Sequence, residues 1–275
     1  MRKKVATWAL RLARWADPAL EIEVFRAPDY GALGFIDALR NGWFRSETAE
    51  LVPGFAIADT DTVVDVGCGD GGNIKFCAKF ARHVVAIDVD PTKLVETERR
   101  LQSGSKASYA VVLSDANPIP IATAMADKII CTEVLEHVDD PARLLSELVR
   151  IGKPGATYLF SAPDALSESV IKRLAPSSAF EKPNHIRVIG RDEFERMVVN
   201  AGLIVQRHTF RGFYWAVRVA LSWKCGVDMI NGRHPVLDRW ARTWSAVLDL
   251  PHGQACKDAF DDAMPKSQDI VACKP

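Results

Sequence analysis

Residues 63–73 read Val-Val-Asp-Val-Gly-Cys-Gly-Asp-Gly-Gly-Asn, and this stretch decides the fold. A run of β-branched residues stops at closely spaced glycines, and a segment compatible with a helix follows. Glycine lets backbone N–H groups approach a ligand closely, and the N-terminus of the next helix carries a positive partial charge. The pattern therefore predicts a strand that ends over a ligand.

A second strand is predicted over residues 83–89, where His-Val-Val-Ala-Ile leads into Asp88. An acid at the end of the second strand can accept both hydroxyl groups of a ribose, so we expect a nucleoside site. The glycine spacing fits two fingerprints. Gly67, Gly69 and Gly72 fit G-x-G-x-x-G, whereas Gly67, Gly69 and Gly71 fit G-x-G-x-G. Either match alone leaves the identity of the cofactor open.

Strands and helices alternate along the chain, which predicts parallel crossover units and a sheet covered on both faces. The predicted fold is α/β, a Rossmann-like, seven-stranded, mostly parallel sheet with helices on both faces and a helical cap. Ligands of such sheets bind beyond the carboxyl ends of the strands, where the glycine loop, Asp88, Asp115 and Glu133 fall. The predicted strands are 62–67, 83–89, 109–113, 127–132, 156–161, 203–210 and 268–273.

Composition excludes several classes of function. The chain has 275 residues, of which 35 are basic and 35 acidic, so no global field favours a nucleic-acid partner. The six cysteines form no C-x-x-C pair or other metal-ligand spacing, so we predict no metal and a reducing, cytoplasmic location. No span approaches the roughly 20 apolar residues that cross a bilayer.

Residues 1–15 predict a basic amphipathic helix, because apolar residues recur at helical spacing after Arg2, Lys3 and Lys4. Such a helix packs on its own domain or lies on an anionic membrane surface, and both interpretations stay open.

The seven tryptophans avoid residues 61–210 entirely. Large aromatic surface outside the predicted sheet indicates a cap that lines a substrate cavity, or a second small core. We therefore divide the chain into an N-terminal helical cap segment (1–60), a cofactor-binding core (61–210), a helical, Trp-rich insertion (211–265) and the last core strand (266–275).

Four segments together resemble the class I S-adenosylmethionine-dependent methyltransferases. Residues 65–71 place an acid before G-x-G-x-G, Asp88 matches the acid that binds ribose, and Asp115-Ala116 matches the segment that contacts adenine. Residues 133–138, Glu-Val-Leu-Glu-His-Val, look like the segment below the methionine portion of the cofactor. The chain resembles most the small-molecule subgroup that includes ubiquinone-type O-methyltransferases.

This resemblance implies that the cofactor is S-adenosylmethionine, with S-adenosylhomocysteine as the product. It implies methyl transfer to a small-molecule acceptor, most simply a hydroxyl of an apolar, natural-product or lipid-linked compound. N- or C-methylation stays open, and an NAD(P)-dependent oxidoreductase is the alternative from another class. The residues expected to contact the cofactor are Asp65, Gly67, Cys68, Gly69, Gly71, Asp88, Val89, Asp115, Ala116 and Glu133.

A hydroxyl acceptor must lose its proton to a base tuned near neutral pH, which favours histidine. His137 follows the fourth strand, and His185 lies in the loop before the helix that begins at Arg191. We predict these two as the catalytic candidates. The alternative roles are support of Glu133 for His137 and fixing of the loop for His185.

Overall fold

The computed structural model describes residues 29–182 and 184–275, and its centre is one seven-stranded sheet. The strand order is β3-β2-β1-β4-β5-β7-β6. Strands β1 to β5 pair in parallel, whereas β7 runs antiparallel to both β5 and β6. The strands are β1 (Thr62–Val66), β2 (His83–Asp88), β3 (Ser108–Leu113), β4 (Ala126–Thr132), β5 (Gly152–Pro163), β6 (Ile204–Arg211) and β7 (Ser267–Cys273). The predicted fold class is confirmed.

Helices cover both faces of this sheet and build the cap. They are α1 (Tyr30–Arg40), α2 (Gly72–Cys77), α3 (Pro91–Gln102), α4 (Pro141–Ile151), α5 (Ala165–Ile171), α6 (Arg191–Asn200), α7 (Phe213–Cys225), α8 (Pro235–Leu248) and α9 (Gly253–Ala263). Asp90 caps α3 and Asp140 caps α4, each accepting a backbone N–H, and a proline follows at the first helical position. This combination satisfies one orphan donor and presets the backbone angle, which fixes where the helix begins.

Strand β5 departs most from its predicted bounds, whereas the other strands differ by at most one residue at either end. Strand β5 begins at Gly152, four residues before its predicted start, because Gly152 already pairs with Ala126. This change comes from strand pairing and not from local sequence preference. Helix α2 ends at Cys77, and the chain then turns into β2, where the N–H groups of Arg82 and His83 bond to Asp61 O at 3.0 and 3.2 Å.

Three apolar clusters hold the molecule together. One face of the sheet packs against α4 and α6, and the other packs against α2, α3 and the segment 43–57. The third cluster lies in the cap, where α7 and α8 pack with α1. Its buried members are Tyr30, Leu33, Tyr214, Leu237, Ala241, Trp244 and Leu248. The late insertion is therefore helical and has its own core.

The predicted amphipathic helix over residues 1–15 lies outside the described residues. Within the described ranges, no helix has the length and hydropathy needed to span a bilayer.

Candidate active site

The glycine loop between β1 and α2 adopts backbone angles that favour glycine. Gly67, Gly69 and Gly71 have φ values of +75°, +53° and +83°. A Cβ on Gly67 would lie 2.3 Å from Val134 Cγ2, and one on Gly71 would lie 2.8 Å from Thr97 Oγ1. The loop is therefore tight, and glycine is required at both ends of it for steric as well as backbone reasons.

Gly72 behaves differently, and this separates the two glycine fingerprints. A Cβ at Gly72 would meet no atom within 4 Å, and Gly72 is absent from the residues with positive φ. In a dinucleotide site the third glycine of G-x-G-x-x-G allows close packing of helix and strand. Here Gly71 makes the close approach, so the geometry favours G-x-G-x-G.

Asp65 lies below this loop as an unpaired acid. It is 1% exposed, and neither carboxylate oxygen finds a hydrogen-bond partner among the described residues. Burial, together with the nearby charge of Asp88, raises the pKa of Asp65 to about 8. A buried acid without a partner is costly unless a ligand completes it. The α-amino group of a methionine portion would do so.

Asp88 ends β2 and helps to shape the loop. Its Oδ2 accepts the Gly69 N–H at 2.8 Å, and its Oδ1 accepts the Asp90 N–H at 2.9 Å. Because an ionised carboxylate has about four acceptor positions, each oxygen keeps capacity for a ribose hydroxyl. The next side chain, Val89, is 68% exposed and offers apolar surface beside this site.

Asp115 and Ala116 follow β3 and line a cavity of about 290 Å³, which we call the nucleoside-side cavity. Ala116 has φ of +57°, and the Asn117 N–H donates to Asp115 Oδ1 at 3.0 Å. His137 lines the same cavity from the β4 side. The structure thus brings the third-strand segment and one predicted histidine to one place.

Glu133 lies at the tip of β4, where its backbone has φ of +56°. Ser161 Oγ donates to Oε1 at 2.7 Å, and Lys266 Nζ donates to Oε2 at 3.2 Å. Burial would raise the pKa of Glu133, but the charges of Lys266 and Arg211 outweigh it and hold the pKa at about 2. Glu133 therefore stays ionised.

Glu136, three residues further on, has a raised pKa where that of Glu133 is lowered. It is 1% exposed, and its carboxyl oxygens have no hydrogen-bond partner within the described part of the chain. Burial and the charge of Glu133 raise its pKa to about 9. A neutral carboxylic acid and a carboxylate thus lie side by side at the end of β4.

The two predicted histidines lie against each other. Their rings pack edge to face with centroids 5.0 Å apart, but they open into different cavities. His137 lines the nucleoside-side cavity, whereas His185 lines a second one of about 340 Å³, which we call the acceptor cavity. His185 Nδ1 lies 3.2 Å from Glu168 Oε2.

The acceptor cavity has an apolar wall and a polar end. Glu168, His185 and Lys266 supply charged or polar groups at the polar end. The apolar wall includes Phe180, Trp215, Val219, Trp223, Met229 and Ile230. Sequence patterns indicated an aromatic cap but gave no signal for Glu168 or Lys266, which lie outside every recognised motif.

Glu136, His137 and His185 also place one ligand atom each within 4.8 Å of one another. Among the described residues, this trio is close enough to hold a divalent cation. The sequence predicted no metal, and that stays a prediction.

The sequence itself is similar to known methyltransferases. Residues 64–160 match the family model described as a methyltransferase domain. A probable S-adenosylmethionine-dependent methyltransferase of Mycobacterium tuberculosis (strain CDC 1551 / Oshkosh) is 27% identical over 60% of this chain and 57% of its own length. The ubiquinone biosynthesis O-methyltransferase of Bordetella bronchiseptica is 32% identical over 58% of this chain and 59% of its own length. The chain spans less than two thirds of these relatives.

The fold agrees with this match. A geranyl diphosphate methyltransferase solved in complex with S-adenosylmethionine superposes with a TM-score of 0.54, at 16% identity, over 80% of each chain. The cyclase SpnF superposes with a TM-score of 0.56, at 18% identity, over 89% of this chain and 81% of its own. The chain is therefore similar to class I S-adenosylmethionine-dependent methyltransferases, and residues 64–160 carry the match to the family model. Because one fold hosts several reactions, activity must be argued from the site.

Proposed function

We propose that this protein transfers the methyl group of S-adenosylmethionine to a hydroxyl group of a small, largely apolar molecule. The observation that carries this proposal is the position of His185. Its imidazole lines the polar end of a cavity whose other wall is aromatic, and it lies beside the residues at the tip of β4. A base next to an apolar cavity suits an acceptor with a neutral hydroxyl group better than it suits a charged acceptor molecule.

The cofactor supplies an electrophilic methyl group on a sulfonium. The groups of this chain that would hold the cofactor are Asp65, Asp88 and the glycine loop. The two acids have unused hydrogen-bond acceptor positions, and the loop has a tightly packed backbone, which supports this role. Methyl transfer needs an acceptor oxygen in line with the reacting carbon, so positioning by the cavity wall contributes much of the rate. His185 removes the hydroxyl proton.

The acceptor class follows from the cavity wall. Trp215, Trp223 and Phe180 offer flat apolar surfaces, and a volume of about 340 Å³ suits one compact ring system or part of a longer chain. The similarity to ubiquinone biosynthesis O-methyltransferases supports O-methylation of such a compound. A lipid-linked acceptor extends this proposal, since the sequence of residues 1–15 predicts a basic amphipathic helix, one of whose two predicted roles is contact with a membrane surface.

The proposed location is the cytoplasm, and nucleic acid is not the proposed partner. All six cysteines are free thiols, as a reducing compartment requires. Equal numbers of acidic and basic residues give little attraction to a phosphate backbone.

The test is methylation with labelled cofactor across a panel of hydroxylated aromatic and isoprenoid-linked compounds. Once an acceptor is found, we expect His185→Ala to lower kcat by about 100-fold or more while the Kd for cofactor stays within twofold. His252→Ala is the matched control, since His252 is exposed at the start of α9.

Two outcomes would contradict the proposal. Full turnover by His185→Ala would show that His185 is not the base. Methylation of amines or carbons alone would show that the acceptor is not a hydroxyl group. Addition of EDTA belongs to the same assay, because a loss of rate would show that a cation is required, for which Glu136, His137 and His185 are the candidate ligands.

A further inference from the structure

Glu168 is a buried acid that no motif assigns to a role. It lies in the first turn of α5, which begins after Asp164, whose side chain accepts the Leu166 N–H at 2.9 Å. Glu168 is 3% exposed and lines the polar end of the acceptor cavity. A carboxylate with so little solvent must be matched by donors of the protein or of a ligand.

The donor that the structure supplies is His185. Its Nδ1 lies 3.2 Å from Glu168 Oε2, and the histidine side chain is 25% exposed. A carboxylate only accepts hydrogen bonds, and a neutral imidazole has one N–H and one lone pair. The contact therefore places the hydrogen on Nδ1 and leaves the lone pair on Nε2. This lone pair can take a proton from the hydroxyl group of a methyl acceptor.

Lys266 supplies a positive charge near this acid. Burial lowers the pKa of Lys266, but Glu133 and then Glu168 outweigh it, so that the pKa is raised overall. Lys266 Nζ donates to Glu133 at 3.2 Å, while its field reaches Glu168 across the cavity. The hydrogen-bond contact of Glu168 is with His185, whereas that of Lys266 is with Glu133.

We propose that Glu168 is the positioning residue of the acceptor base. It holds His185 in the Nδ1–H tautomer and stabilises the imidazolium that forms when the hydroxyl proton moves to Nε2. The acceptor oxygen forms its bond to the methyl carbon, and the electron pair of the broken carbon–sulfur bond stays on sulfur. The proton on Nε2 then leaves to solvent. This role rests on the proposed function of His185.

The first experiment needs no acceptor. In protein labelled with ¹⁵N-histidine, the His185 ring nitrogens report the tautomer, and we expect Nδ1–H in the unmodified chain. Glu168→Gln keeps the volume but can donate to the ring, so we expect a shift towards the Nε2–H tautomer. Glu181→Gln is the matched control, because Glu181 is exposed in the segment just before His185. An Nε2–H tautomer in the unmodified chain would overturn the proposal.

The second experiment uses turnover. We expect Glu168→Gln to lower kcat by about 100- to 10,000-fold, with little change in the Kd for cofactor. In a His185→Ala background the same substitution should have no further effect, since both residues act as one unit. Glu168→Asp should recover part of the rate, and circular dichroism checks that each variant folds.

Additive losses in the double variant, or full turnover by a folded Glu168→Gln, would show that Glu168 acts only in packing. Absence of methylation by every form of the protein would reject the proposed function. The tautomer measurement would still decide the contact between Glu168 and His185.

Discussion

Buried ionisable side chains have partners in the cap, whereas one in the cofactor half of the molecule has none among the described residues. In the cap, the fully buried Lys257 lies between Asp261 and Asp37, and the indole N–H of Trp244 donates to Asp37 at 3.0 Å. In the sheet, the equally buried Asp65 has no partner among the described residues. The matched charge of Lys257 anchors α1 to the cap helices. The buried carboxyl group of Asp65, which has no partner among the described residues, instead indicates a place for a ligand.

The two halves also differ in how their binding surfaces are made. The cofactor side depends on backbone angles within the short stretch 67–71 and on acids at strand ends. The acceptor cavity depends on side chains from α5, α7 and the turn before β7. Substitutions in the first half should therefore affect cofactor affinity, and those in the second half should affect the acceptor.

The largest effect is expected at Gly67. Gly67→Ala would place a methyl group 2.3 Å from Val134 Cγ2 and force a non-glycine residue to φ of +75°. We expect cofactor affinity, measured by calorimetry, to fall by about 100-fold or more. Gly72→Ala is the control, because its Cβ would meet nothing within 4 Å. Equal losses in both variants would show that the clash and the positive φ at Gly67 are not the cause.

An intermediate effect is expected at Trp223, which lines the acceptor cavity. Trp223→Ala removes aromatic wall, and we expect the KM for an apolar acceptor to rise about tenfold with the Kd for cofactor unchanged. Trp240→Ala is the control, since Trp240 packs on Tyr214 within the cap core. It should lower Tm without changing this KM. A raised KM for both would indicate a general loosening of the cap.

A further effect concerns Asp65 and the dependence of stability on pH. Its pKa of about 8 lies above the ordinary 3.8, so the folded chain keeps a proton that the unfolded chain releases between these values. Stability conferred by this group therefore falls as pH rises from about 4 to about 8. We expect Tm to fall more steeply with pH in the unmodified chain than in Asp65→Asn. Saturating S-adenosylhomocysteine should flatten the slope, because its amino group favours the ionised form.

An unchanged slope in Asp65→Asn would show that other groups, such as Glu136, account for the dependence. An unchanged slope with ligand would show that Asp65 does not meet the amino group.

The sequence alone determined the sheet, the glycine loop and the acids at the strand ends, down to Asp65 and Asp88. Local patterns suffice there, because glycine at a positive φ and alternation of strand with helix are properties of neighbouring residues. Even so, Gly71 and Gly72 could be told apart only from what surrounds each Cβ.

Only the tertiary structure decided how the acceptor cavity is built. Glu168 and His185 are 17 residues apart, and Glu133 and Lys266 are 133 apart, so no local pattern records their contacts. The structure likewise separated the two histidines, placing His137 in the nucleoside-side cavity and His185 in the acceptor cavity. The physical reason is that hydrogen bonds and cavity walls depend on distance in space, which sequence spacing fixes only within a single helix, strand or turn.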